Sequence, residues 1–223
     1  MKFVEYPDRD LMTVALADQL ASDLKAALRS NERVSLSVPG GTTPGPVFDT
    51  LAGVSLEWDR ITVFANDERW VPEESERSNA RLIRKRLLRG HAVAATYVSL
   101  YADTPEPEAA MERLAAALSP HLPIHVLLLG MGADMHTASL FPGGDRLADA
   151  LASDAPILVP MRADSAGEPR VTLSARVLAD AMAIHVLITG RDKREALERA
   201  ETLPPDVAPI RAVLANATVH WAE

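Results

Sequence analysis

The chain has no cysteine among its 223 residues. That absence excludes disulfides, thiolate nucleophiles and cysteine-ligated metal, and it is compatible with a reducing compartment. No apolar run approaches the about 20 residues of a membrane span. The first residues, MKFVEYPDRD, turn polar too early for a signal peptide. There is no repeat, no low-complexity segment and no obvious linker. An excess of positive charge is also missing: the net charge is −8, which argues against general nucleic-acid affinity. The clearest basic cluster is Arg81, Arg84, Lys85, Arg86 and Arg89. It falls on a helix with Leu82, Ile83, Leu87 and Leu88 inward, and it reads as a solvated face. What remains is 48% hydrophobic and 24% charged, ample for a core. The expectation is a soluble, cytoplasmic globular protein, one domain over residues 1–223, with no membrane or nucleic-acid partner.

Periodicity sets the order of elements. Asp10 to Leu28 has a helical period, with Leu11, Val14, Ala17, Leu20, Leu24 and Leu28 expected inward. Val34 to Val38 reads as a strand, followed by the loop Pro39 to Pro44 and a helix around Phe48 and Leu51. Ile61 to Ala65 reads as a strand, Ser78 to Leu88 as a helix capped by Ser78, Tyr97 to Leu100 as a short strand and Pro107 to Leu118 as a helix. Ile124 to Leu129, Ile157 to Pro160, Val171 to Leu173 and Ala183 to Thr189 read as further strands. A helix around Lys193 to Ala200 and a late strand at Val219 to Trp221 complete the series. This alternation predicts an α/β fold: an open, mostly parallel sheet with helices on both faces. The strands ending at Val38, Ala65, Leu129 and Thr189 each run into a polar or glycine-rich stretch. In a parallel sheet those four stretches share one edge and can meet in one site.

Each stretch has its own chemistry. In Pro39-Gly40-Gly41-Thr42-Thr43, glycines allow close backbone approach, and N–H groups with threonine hydroxyls suit a phosphate. No Gly-Lys-Ser/Thr follows, so it is not a Walker loop. Gly190-Arg-Asp-Lys-Arg194 opens a helix with cations at the end where the helix dipole disfavours them. A bound anion reverses that sign, which makes Lys193 a candidate ligand. Asp67-Glu68-Arg69 follows a strand end, and its bland reading is a surface ion pair. Arg170, taken alone, is equally ambiguous. Gly130-Met-Gly132 stops an apolar strand and leads into Asp134 and His136, a titratable pair suited to acid–base work. It resembles the start of a dinucleotide fingerprint, but Met135 holds the third glycine position and Pro142 arrives soon after. Ala163-Asp-Ser165-Ala-Gly167 mimics a nucleophile elbow, but Glu168-Pro169 stands where a helix is required. His121 and His125 have helical spacing broken by Pro123, and there is no His-Glu-x-x-His, so no metal or other cofactor is expected.

Together, five stretches resemble the 6-phosphogluconolactonases, within the larger glucosamine-6-phosphate isomerase/deaminase-like family. They are Pro39-Gly-Gly-Thr-Thr-Pro44; Asp67-Glu-Arg-Trp-Val-Pro72 with Ser78-Asn-Ala-Arg81; Gly130-Met-Gly-Ala-Asp-Met-His-Thr-Ala-Ser-Leu-Phe-Pro142; Arg170-Val-Thr-Leu173; and Gly190-Arg-Asp-Lys193. His-x-Ala-Ser-Leu-Phe-Pro marks the lactonase branch, and the Phe-Asn-Glu-Pro-like ending of the deaminase branch is missing. The resemblance implies hydrolysis of 6-phospho-D-glucono-1,5-lactone to 6-phosphogluconate, the second step of the oxidative pentose phosphate pathway. It assigns phosphate binding to Gly40, Gly41, Thr42, Arg170 and Lys193, the general base to His136 with Asp134 beside it, and a place near the sugar to Arg69. Where the family has glycine, this chain has Met135, so the turn must tolerate a side chain. Two rival readings are a sugar-phosphate isomerase or deaminase, distinguished by ammonia release, and a non-catalytic sugar-phosphate sensor. The expected assembly is a monomer or weak homo-oligomer.

Overall fold

The four apolar runs singled out by their polar sequels do lie side by side in one sheet, with their carboxyl ends along one edge. The computed structural model describes residues Met1–Glu223. In chain order the elements are β1 (Lys2–Glu5), α1 (Arg9–Leu28), β2 (Val34–Val38), α2 (Gly45–Ala52), β3 (Ile61–Ala65), β4 (Asp67–Arg69), α3 (Asn79–Arg86), β5 (Thr96–Tyr97), α4 (Met111–Leu118), β6 (Val126–Gly130), α5 (Leu147–Leu151), β7 (Leu158–Met161), β8 (Arg170–Leu173), α6 (Ala175–Ala179), β9 (Ala183–Thr189), α7 (Arg191–Ala200), α8 (Arg211–Leu214) and β10 (Ala217–Ala222). The main sheet has the order β1-β10-β9-β6-β2-β3-β5 and every pairing in it is parallel. Its central strands are covered on both faces by flanking helices, which is why β2 and β3 are buried at every position. Strand order reverses between β2 and β6, the place where open α/β sheets form a crevice beyond their carboxyl ends.

A second sheet, β4-β8-β7, is antiparallel and was not foreseen as a separate layer. Ile157 to Pro160 and Val171 to Leu173 are strands as expected, but they pair here and not in the main sheet. Asp67-Glu68-Arg69, expected only as a charged stretch after a strand end, is its third strand, paired with β8. Pro160 is tolerated because β7 is an edge strand. Asn66 joins the two layers: its N–H donates to the Val38 carbonyl (2.9 Å) and its own carbonyl accepts from Leu173 N–H (2.9 Å). Sixty-three buried hydrophobic residues form one contiguous core through both sheets.

Two further expectations need correction. In α1 the inward face is Met12, Leu16, Ala17, Leu20, Ala21, Leu24 and Leu28, whereas Leu11 and Val14 are 53% and 58% exposed. The four-residue spacing from Met12 to Leu28 defines a stripe with small alanines between, and α1 packs against α2 and against β10, β2 and β6 of the sheet. The strand expected at Tyr97 to Leu100 is only β5, two residues long, because it has a single neighbour, β3. The basic face of α3 is partly solvated, as read. Arg86 and Arg89, however, both hold Asp49 of α2, and Arg84 holds Glu73.

A buried polar chain ties α1 to the edge of the sheet. Tyr6 lies 2.8 Å from His220 Nδ1, His220 Nε2 lies 3.0 Å from His185 Nδ1, and His185 Nε2 lies 2.8 Å from Asp23. With both rings neutral every group is satisfied in one direction: Tyr6 O–H donates to His220, His220 to His185, and His185 to the carboxylate. Burial, aided by His185 and Lys2, pushes His220 down to about 4, although Asp23 pulls the other way. The unfolded chain therefore binds the proton first. Stability from this residue is complete above the ordinary 6.5 and is lost as pH falls through about 4. We predict that the loss amounts to about 3 kcal/mol. Urea unfolding of the wild type against His220→Asn at both pH values isolates it; parallel pH profiles would refute it.

Candidate active site

At the switch point between β2 and β6 the structure has a cavity of about 380 Å³. Its walls come from the stretches that follow β2, β3, β6 and β9, joined by β8 and by the loop between β7 and β8. Gly40, Gly41 and Thr42, then Arg69, His136, Arg170 and Lys193 all line it. Of the residues expected at the site, Asp134 alone is not on the wall. It lies behind His136.

His136 Nδ1 is 2.5 Å from Asp134 Oδ1, and the same oxygen also accepts the His136 backbone N–H at 3.2 Å. The imidazole holds the Asp134 carboxyl below the usual carboxylate range. Nδ1–H donating to a carboxylate leaves Nε2 with the lone pair, the arrangement of an oriented general base. Phe141 packs against the ring with centroids 4.8 Å apart. Gly132 has no substitute here, since a Cβ on it would collide with both His136 and Asp134. The turn also settles the question raised by Met135. That residue takes the left-handed conformation a glycine would, with φ of 66°, at about 1–2 kcal/mol for a residue with a Cβ. It is held there from several sides. Met135 N–H donates to Gly132 O (3.0 Å), Gly132 N–H to His136 O (3.0 Å), and Ile210 N–H to Met135 O (3.1 Å).

The cations converge through the second sheet. Arg69 and Arg170 are direct partners in the β4–β8 register, and like charges placed opposite each other are unfavourable without an intervening anion. Arg170 is 8% exposed. Its Nη2 donates to Ala166 O at 2.9 Å, Asp67 approaches Nη1 only to 3.7 Å, and Nε has no partner. Burial lowers its pKa against the pull of Asp67. Lys193 lies in the first turn of α7, behind Gly190. Its neighbour Arg194 is spent on Glu5 and Glu198 and lies over the Trp221 ring, whereas Lys193 faces the cavity. Under-partnered cations around a cavity floored by a glycine-threonine loop can hold a phosphate.

Sequence reasoning missed three residues of the site. Asp67 and Asn79 line the cavity, and Glu68 supports it from behind. Asp67 accepts the Ser139 hydroxyl and, at 3.3 Å, the Asn79 amide. Asn79 in turn lies where a Cβ on Gly40 would have to go. Asp67 and Arg69 share one face of β4 and Glu68 takes the other, so the period-two pattern was the available signal. Ser165, set aside with its elbow-like motif, also reaches the wall, but from a loop between antiparallel strands.

Glu68 completes the start of α3. Its carboxylate accepts N–H groups from Arg69 (2.8 Å), Asn79 (2.7 Å) and Ala80 (2.7 Å), and the Ser78 hydroxyl at 3.3 Å. Ser78, the expected cap, takes the next amide, that of Arg81, at 3.2 Å. Burial pushes Glu68 up to about 7 against these donors. Glu68→Ala would strand three buried amides, and we expect it to destabilise the protein by about 3 kcal/mol or more. Chemical denaturation measures this; a change within about 0.5 kcal/mol would contradict it.

The fold and site define an open α/β protein with an oriented imidazole facing a cationic cavity at the carboxyl edge of its sheet. The chain belongs to the glucosamine-6-phosphate isomerases/6-phosphogluconolactonase family, whose model matches residues 7–221. It is 44% identical to the 6-phosphogluconolactonase of Mesorhizobium japonicum, covering 97% of this chain and 93% of that protein. It is 40% identical to that of Pseudomonas aeruginosa, over 92% and 88%. The crystal structure of a 6-phosphogluconolactonase from Shewanella baltica superposes with a TM-score of 0.96 at 32% identity, covering 100% of this chain and 98% of that one. A monomeric glucosamine-6-phosphate deaminase shares the fold, with a TM-score of 0.83 at 18% identity, covering 100% and 98%.

Proposed function

We propose that this protein hydrolyses 6-phospho-D-glucono-1,5-lactone to 6-phosphogluconate, the second step of the oxidative pentose phosphate pathway, in the cytoplasm and without a cofactor. The observation that carries the reading is one cavity holding both an Asp134-oriented imidazole and the cations Arg170 and Lys193. The phosphate rests on Arg170, Lys193 and the Gly40-Gly41-Thr42 loop, remote from C1, and its binding energy orients the lactone. Neutral His136 takes a proton from water as that water attacks the C1 carbonyl, a contribution of about 10²- to 10⁴-fold. Asp134 stabilises the imidazolium. Arg69 and nearby backbone N–H groups face the developing oxyanion. The C1–O bond to the ring then breaks, and the ring oxygen leaves as an alcohol with the proton returned by the imidazolium. An activated cyclic ester needs no covalent intermediate, which suits a site without an activated serine or cysteine.

The test is acid release from fresh lactone, followed against its spontaneous hydrolysis. Rapid release that saturates with substrate is expected. Release at the background rate, with ammonia produced from glucosamine 6-phosphate, would replace this reading with a deaminase.

A further inference from the structure

The loop between β7 and β8 turns at Gly167 (φ 77°) and directs Glu168 inward, its side chain 17% exposed. The carboxylate grips Arg77, which is outside the cavity, at 2.7 and 3.0 Å. Its Oε1 also stands 3.6 Å from Arg69 Nε and 3.9 Å from Arg170 Nη2, the two guanidinia that line the cavity. These separations are too long for hydrogen bonds. Glu168 therefore offsets the charge of both arginines without consuming their donors, and the Nε groups of both remain without partners.

Resting on the lactonase reading, that geometry has a consequence for turnover. The substrate is neutral at C1 and the product is a carboxylate there, so hydrolysis adds one negative charge beside Arg69. Arg69 already gives Nη1 to the Arg77 carbonyl (2.6 Å) and its Nε is buried, so Nη2 is the terminus left for the product carboxylate, and a charge-assisted contact there retains it. We propose that Glu168 sets the charge balance of the cavity so that the acid product is released: it is a positioning residue that acts through Arg69 and Arg170 and discriminates between carboxylate and neutral C1.

Calorimetry with two probes tests this, 6-phosphogluconate and glucitol 6-phosphate, which share the phosphate and differ in the carboxylate. In Glu168→Gln the preference for 6-phosphogluconate over glucitol 6-phosphate should rise about tenfold, as expected for removing a partly screened charge a few ångströms away. In kinetics, product inhibition tightens more than the lactone KM falls, and Glu168→Asp restores wild-type behaviour. Glu168→Ala should shift the preference in the same direction and serves if the glutamine variant is unstable. An unchanged preference, with both ligands gained or lost alike, overturns the proposal, since a purely structural glutamate predicts that result. The binding ratio does not depend on turnover. Failure of the wild type to hydrolyse lactone would remove the lactonase reading, whereas hydrolysis with an unmoved ratio would remove only the role of Glu168.

Discussion

His136→Ala is expected to lower kcat for the phosphorylated lactone by about 10²- to 10⁴-fold, with 6-phosphogluconate still bound nearly as well as by the wild type. The asymmetry follows from the geometry. The imidazole is tied to Asp134 and packed against Phe141, whereas the residues proposed to hold phosphate are on other elements and survive its removal. Asp134→Asn should lose part of the same factor, since an amide neither stabilises the imidazolium nor fixes the tautomer as a carboxylate does. Single-turnover rates with fresh lactone measure both effects. A His136→Ala protein that turns over at the wild-type rate would remove the base from the mechanism.

Lys193→Ala should act on the other half of the ligand. Losing one charge-assisted contact to phosphate raises KM by about 10- to 100-fold, with kcat nearly unchanged because the lysine acts equally in ground and transition states. The control is glucono-1,5-lactone without phosphate, whose slow hydrolysis should be indifferent to the substitution. The local structure supports a ligand role, since neighbouring Arg194 is anchored to Glu5, Glu198 and Trp221 while Lys193 opens to the cavity. Equal losses on both lactones would show instead that Lys193 supports the fold of α7.

Much of this protein was legible in the residue order because its determinants are local. Buried parallel strands are short apolar runs, and β2, β3, β6 and β9 were found within a residue or two. Polar punctuation after each run marked the residues that meet at the cavity. Ser78 at the start of α3 and the Asp134–His136 spacing likewise depend on neighbours only. Strand β4 was opaque: three charged residues have no hydrophobic period, and their strand character comes from pairing with β8 about a hundred residues later. The burial of Glu68 followed from the same pairing. The inward face of α1 was misjudged only in its first turns, at Leu11 and Val14, because apolar residues at two offsets compete there and only the packing on the sheet and α2 chooses between them.

The sequence by itself determined the element order, the parallel core and the chemistry on offer: a histidine with its carboxylate, a glycine-threonine loop and scattered cations. Tertiary structure alone decided that Arg69 stands opposite Arg170, that Glu168 reaches both, that Asp67 and Asn79 join the wall, and that Met135 bends as a glycine would. Period and capping are written in adjacent residues. Pairing between distant strands, and the strain a turn will bear, depend on contacts that exist only once the chain has closed on itself.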